Sequence, residues 1–359
     1  MKIGIDIHAS RGAKTGLGVY TDNLLHALAD FKERHQFFNY AASDSAHWNT
    51  FRRLYWENFE LPKLAKKDKI EILHVPAFSP PFRKFSKLVV TVHDLIGVIF
   101  PNQRGLPSRW YWGSWLPFTI RRADCIITDS ENTKKDVLRH LAVPEKKIRV
   151  VYPSGHEGFS SHVNGTALES LKKNLGVREK YFLCVGTIEP RKNLLRVIQA
   201  YARFMRKKRS PSYQLLVVGS KEFAHGKAFL EIMNSASVNT NGIIFTGYLE
   251  HEDLNRLYCG AEAFLFPSLY EGFGIPILEA MACGVPVLAS DRSSLPEVGG
   301  DAVYSVNPIN VDEITEGMSR LADDTTLRRE LIEKGSRQIG KFSWKKTARE
   351  IVQVYESLA

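Results

Sequence analysis

Cysteine is scarce in this chain, with four in 359 residues. Cys125, Cys184, Cys259 and Cys283 are far apart and show no paired spacing that would hold zinc or form a redox dithiol. A disulfide-stapled fold is therefore excluded, and the four are expected to be buried small hydrophobes. No run of about 18 or more apolar residues occurs, which excludes a spanning helix. The opening MKIGIDIHAS reads as a strand and a polar loop, without the basic and then apolar regions of a signal peptide, so a cytoplasmic location is expected. No internal repeat, low-complexity tract or nucleic-acid module is present, and no nucleic acid partner is expected. An acid-x-acid motif at a strand end is also lacking, so neither a metal nor a resident cofactor is expected.

Acidic residues are in deficit, 39 against 49 basic ones, for a formal net charge of +10. Residues 1–170 hold most of that excess, with roughly 24 basic against 17 acidic side chains. Within them, RGLPSRWYWGSWLPFTIRR (104–122) mixes Trp110, Trp112, Trp115 and Phe118 with Arg109, Arg121 and Arg122. Aromatic and cationic side chains together suit an anionic lipid headgroup zone, and a peripheral contact with such a membrane is expected. The same aromatics could instead fill a core beneath an arginine rim.

The length suits two domains. Apolar strand-like segments alternate with helical patterns, which predicts α/β architecture with parallel sheets. In the first half these are KIGIDI (2–7), EILHVP (71–76), KLVVTVH (87–93), CIITDS (125–130) and IRVVYPSG (148–155). Thr128, Asp129 and Ser130 are placed to cap a helix running to Leu141. A loop bearing Gly16 and Gly18 follows the first strand. Gly16-Leu17-Gly18 is an incomplete dinucleotide fingerprint, because the third glycine would fall at Thr21. The polar segment 160–170 reads as a linker. Beyond it, FLCVGTIEP (182–190), LLVVG (215–219), IIFTG (243–247), AFLFPS (263–268), VPVLAS (285–290) and AVYSV (302–306) predict a doubly wound sheet.

The most informative stretch is YEGFGIPILEAMACGVPVLAS (270–290). Gly272 and Gly274 permit backbone conformations closed to residues with a Cβ. Pro276 suits the first turn of a helix, whose start is predicted near Ile275. The amides and positive dipole end of that helix can face an anion such as a diphosphate. Glu271 stays in the loop and Glu279 falls about one turn into the helix, so the two acids can hold hydroxyls at different places on one ligand. Phe273 stands between the glycines. The layout suits a nucleotide-sugar.

In VGTIEPRKNL (185–194), Arg191 and Lys192 follow a strand and a turn, where cations can neutralise a departing nucleoside diphosphate. His93 ends a strand beside Asp94, and a lone histidine there is more often a structural hydrogen-bonding residue than a functional one. His8 and Asp6 close the first strand and rank behind it.

These segments, with GLGVYTDNLLHAL (16–28), ITDSENTKKDV (127–137), FTGYL (245–249), LPEVGGDA (295–302) and FSW (342–344), resemble family 4 of the retaining, GT-B-fold glycosyltransferases over nearly the whole chain. The resemblance implies two Rossmann-like doubly wound domains facing a central cleft. Residues 1–168 would form the acceptor side, joined by a crossover helix 343–359, and residues 169–342 the donor side. It implies transfer of a hexosyl group, with mannose from GDP-mannose the expected donor, to a glycan or lipid-linked glycan, without a metal. Glu271 would then meet the sugar and Glu279 the ribose. Lys192 would meet the diphosphate, and Arg191 would share that role because Thr187 stands where many members have arginine. His93 would hydrogen-bond a sugar hydroxyl, Gly16 and Gly18 would let the donor approach, and Tyr248, Leu249 and Leu254 would border the base. No nucleophile is implied, since the departing phosphate oxygen takes the acceptor proton on the same face. A UDP-sugar donor and a catalytically silent glycan-binding module are the alternatives.

Overall fold

Parallel strands flanked by helices are what the buried apolar segments build, in two six-stranded sheets. The computed structural model describes residues 1–11, 16–42, 50–77, 80–100, 109–178, 180–208, 213–219 and 242–359. The chain divides into two compact units, Met1–Ser154 with Phe342–Ala359, and Gly155–Lys341.

In the first unit the strands are β1 (Lys2–Asp6), β2 (Gln36–Tyr40), β3 (Ile72–Val75), β4 (Lys87–Val92), β5 (Cys125–Thr128) and β6 (Ile148–Val150), in the order β2-β1-β3-β4-β5-β6. Every pairing is parallel. Ser130 caps helix Glu131–Leu141 by accepting from the Thr133 amide. Helix Trp344–Leu358 packs its Ala348, Ile351, Val352 and Tyr355 into the core around Ile3, Ile5 and Leu24. Tyr355 Oη lies 2.6 Å from His74 Nδ1, so a buried polar pair is satisfied within that core.

The second unit holds β7 (Lys180–Val185), β8 (Tyr213–Val218), β9 (Ile243–Gly247), β10 (Ala263–Phe266), β11 (Val287–Ser290) and β12 (Val303–Val306). Their order is β12-β11-β10-β7-β8-β9. The chain winds outward from β7 through β8 to β9, then returns to the other side at β10. The strand direction of travel therefore reverses between β7 and β10, and the crevice beyond their carboxyl ends is where such sheets bind ligands. Both units are doubly wound, as the alternating pattern predicts.

Two local expectations are corrected. The segment expected to be a linker contains the start of helix Gly165–Leu175, because Asn164 accepts from the Thr166 and Ala167 amides and so nucleates it. Gly16 and Gly18 are not in a loop: helix Gly16–Leu28 begins at Gly16. Gly18 is required by packing, since a Cβ there would lie 2.6 Å from the Ala9 carbonyl oxygen, whereas one at Gly16 would meet open space.

Candidate functional site

β7 ends at Val185 and is followed by Gly186, whose φ of +141° favours glycine. The backbone is crowded there: a Cβ on Gly219, which follows β8, would fall 2.0 Å from the Gly186 carbonyl oxygen. Thr187 and Ile188 then lead to a short 3-10 turn, Pro190–Lys192. Asn193 closes it in the left-handed region at φ +62°, a conformation asparagine tolerates better than most residues. Its side-chain amide is buried and donates to the carbonyls of Pro267 (2.9 Å) and Pro308 (2.6 Å). Asn193 thus ties the loop after β7 to the loop after β10. The Leu269 amide donates to the Arg191 carbonyl at 2.7 Å and makes a second tie.

The loop after β10 carries Glu271, of which only 7% is exposed. Ser293 and Ser294 both donate to its carbonyl, at 2.6 and 3.0 Å, and Ser294 also donates to the Phe273 carbonyl at 2.6 Å. Gly274 turns the chain at φ +120°, and a Cβ there would press to 2.8 Å from Leu295. Helix Ile275–Ala282 starts at the predicted residue with Pro276 in its first turn.

These ties bring three of the expected site residues together. Lys192 Nζ lies 2.7 Å from Glu271 Oε1, and Arg191 Nη1 donates to Glu271 Oε2 at 2.8 Å. Arg191 Nε also donates to Glu189 Oε2 at 2.6 Å. Lys192 Nζ sits 4.8 Å from the Phe266 ring centroid, over the end of β10. Burial works against the Glu271 charge, but Lys192 and then Arg191 outweigh it and hold the carboxyl below its ordinary range. Burial draws the Lys192 ammonium below its ordinary value despite Glu271. The result is a desolvated acid between two cations at the carboxyl ends of the two switch-point strands.

Glu279 lies one turn inside its helix and accepts from the Tyr258 hydroxyl at 2.9 Å. Burial raises its pKa to about 7, with the Tyr258 hydrogen bond and Lys192 opposing. Tyr248 follows β9 and is 60% exposed, Leu249 is half-buried beside it, and Leu254 is half-buried in helix His251–Cys259. Asn193, Ser293, Ser294 and Tyr258 were not anticipated from sequence. The left-handed position after Arg-Lys and the paired serines before Leu295-Pro296 were the available signals for the first three.

In the first unit His93 stands at the carboxyl end of β4, with Nδ1 2.6 Å from Asp129 Oδ2 and Nε2 2.7 Å from the Pro76 carbonyl oxygen. The carbonyl can only accept, so Nε2 carries a proton, and Nδ1 donates to the carboxylate. Burial pulls the His93 pKa down, but Asp129 more than reverses it. The Tyr20 ring stands edge-on to it at 4.5 Å. Asp6 accepts from the His8 amide at 3.0 Å, and burial raises its pKa to about 6; burial lowers that of His8 to about 4.

Among the described residues of 104–122, Trp110 and Phe118 are exposed while Tyr111 and Leu116 are buried, so part of this stretch fills the core and part faces outward; residues 104–108 lie outside the described set. Phe82 stacks on Phe118 at 5.8 Å, and the Arg122 guanidinium lies 5.0 Å from the Phe82 ring. Phe51, Tyr55 and Phe59 are also exposed, on the helical segment beginning at Thr50. No helix among the described residues is long and apolar enough to cross a membrane.

Two family models match the chain: "Glycosyl transferases group 1" over residues 168–338 and "Glycosyltransferase Family 4" over residues 15–154. The chain is 31% identical over 287 residues to O-antigen chain mannosyltransferase B of Escherichia coli, covering 80% of this chain and 74% of that one. It is also 31% identical over 290 residues to the serotype-specific mannosyltransferase WbdA of Escherichia coli, spanning 79% of this chain but about a third (34%) of that protein's length. In structure it superposes on sucrose-phosphate synthase from Thermosynechococcus elongatus with a TM-score of 0.78 at 20% identity, covering 99% and 98% of the two chains.

Proposed function

The chain belongs to the family 4 glycosyltransferases and has the GT-B fold, and on that premise we propose that it transfers mannose from GDP-mannose to a hydroxyl of a glycan or lipid-linked glycan, with retention at the anomeric carbon and without a divalent ion. The observation that carries this reading is the Lys192–Glu271–Arg191 cluster at the carboxyl ends of β7 and β10. The two cations are placed to take the charge that grows on the departing diphosphate, and the first turn of helix Ile275–Ala282 adds backbone dipoles. Glu271 is then available to accept hydrogen bonds from sugar hydroxyls, and Glu279 from those of the ribose. Tyr248, with its exposed ring, suits the base. The mannosyltransferase relatives support the choice of sugar.

The acceptor reading rests on the exposed Phe51, Tyr55, Phe59, Trp110 and Phe118 of the first unit and its excess of basic residues. That chemistry fits an anionic headgroup layer, so we place the enzyme as a peripheral protein on the inner face of the cell membrane, working on a lipid-linked glycan in polysaccharide assembly.

A panel of GDP-mannose, GDP, UDP-glucose and UDP tests the donor. At about 100 times its dissociation constant the true donor adds roughly 2.7 kcal/mol of stability, which thermal unfolding reads directly. Stabilisation by UDP-sugars alone would reject GDP-mannose. Stabilisation without release of sugar to water or acceptor would reject an enzyme in favour of a silent module.

A further inference from the structure

The wide sequence spacing of the cysteines conceals a spatial pair. Cys259 ends helix His251–Cys259, and Cys283 is the residue just past helix Ile275–Ala282. Ser160 and Asn255 gather both thiols to one spot. Cys259 Sγ donates to the Ser160 carbonyl at 3.1 Å, Cys283 Sγ donates to Asn255 Oδ1 at 3.1 Å, and the Ser160 amide donates to that same Asn255 oxygen at 3.0 Å. Neither thiol serves the donor chemistry argued above.

From this geometry we infer that Cys259 and Cys283 form an oxidisable dithiol, which a hydroperoxide closes to an intramolecular disulfide. Their environments divide the roles. Cys259 is partly exposed whereas Cys283 is buried, so a small peroxide meets Cys259 first. Cys259 is therefore the thiolate nucleophile and Cys283 the resolving thiol. Cys125 and Cys184 are buried with pKa values raised by burial to about 11 and about 12, which leaves them unreactive.

The chemistry balances with hydrogen peroxide as the oxidant. The Cys259 thiolate attacks one peroxide oxygen, the O–O bond breaks, and the departing hydroxide takes a proton from solvent, leaving a sulfenic acid. Cys283 sulfur then attacks the sulfenic sulfur; the S–O bond breaks, the S–S bond forms, and hydroxide leaves as water with the Cys283 proton. The two sulfurs are oxidised and two peroxide oxygens are reduced.

The test is covalent and so stands apart from the identity of the donor. The full chain, reduced and freed of reductant, is treated with hydrogen peroxide, denatured in an alkylating agent and weighed intact. The expected protein loses about 2 Da and alkylates at two thiols instead of four, with a cross-linked peptide pair holding Cys259 and Cys283, all reversed by dithiothreitol. In Cys283→Ser the sulfenic acid should persist on Cys259 and be captured by dimedone. Alkylation at all four thiols after peroxide, a disulfide that survives in Cys259→Ser, or dimedone capture only at Cys125 or Cys184 would each overturn the inference.

Discussion

Lys192 Nζ lies 2.7 Å from Glu271 Oε1, so a cation and an acid expected to serve different parts of the donor neutralise each other. Both side chains are largely withdrawn from water, 16% and 10% exposed. Removing the acid strands the buried ammonium. Glu271→Gln should destabilise the second unit by about 3 kcal/mol in denaturant unfolding, because Lys192 and Arg191 then face each other without their shared anion. Lys192→Met should cost less, since Arg191 still pairs with Glu271. The double variant Glu271→Gln/Lys192→Met should recover most of the loss, a coupling that a double-mutant cycle measures.

Turnover separates Lys192 from its structural role. If the ammonium stabilises the departing diphosphate, Lys192→Ala lowers kcat by roughly two to three powers of ten, the typical effect of losing one preorganised donor to a transition state. Its donor KM should change far less. A kcat within a few-fold of the parent would leave Lys192 as a partner of Glu271 and nothing more.

Glu279 gives the site a pH dependence whose sign follows from its pKa. Burial raises it to about 7 from an ordinary value near 4.5, so the folded state binds this proton more tightly than the unfolded chain. The corresponding contribution to stability is full below about pH 4.5 and is lost as the pH rises toward 7. Glu279→Gln should flatten that part of the stability profile. Donor binding should run the opposite way: the carboxylate accepts from ribose hydroxyls at both oxygens and with charge assistance, which the protonated acid does not, so affinity should rise through pH 7. Tyr258→Phe removes the hydrogen bond that opposes the shift and should move the inflection upward, as isothermal titration with GDP across pH 5.5 to 8.5 would show.

What was legible in the sequence is what local patterning encodes. The helix start at Ile275, the Ser130 cap and the strand segments from β7 to β12 follow from glycine, proline and apolar runs that act on their immediate neighbours. Asn193, Ser293 and Ser294 were missed because their partners are other loops, with Asn193 reaching Pro267 and Pro308 across the sheet end. The Cys259 and Cys283 pair is hidden from the sequence for the same reason. Spacing along the chain says nothing about two helix ends that meet through Asn255 and Ser160. The helical Gly16 is hard to place from sequence because glycine ordinarily weakens a helix.

The glycines of helix Gly16–Leu28 offer a clean separation of packing from function. A Cβ at Gly18 would sit 2.6 Å from the Ala9 carbonyl oxygen, a backbone atom that cannot rotate away, so Gly18→Ala must displace the helix from the turn after β1. Forced overpacking of this kind costs about 1–3 kcal/mol, and thermal unfolding should show a clear loss. At Gly16 the same methyl would meet no atom within 4 Å, so Gly16→Ala should leave stability unchanged or raise it by up to about 1 kcal/mol through helix propensity. The two glycines share the expected role of admitting the donor to close backbone approach, and only Gly16 is exposed enough to test it without disturbing the fold. A Gly16→Ala enzyme of parental stability whose donor KM rises by tenfold or more would assign that approach to Gly16. Parental stability together with parental kinetics would show that Gly16 has no part in that approach.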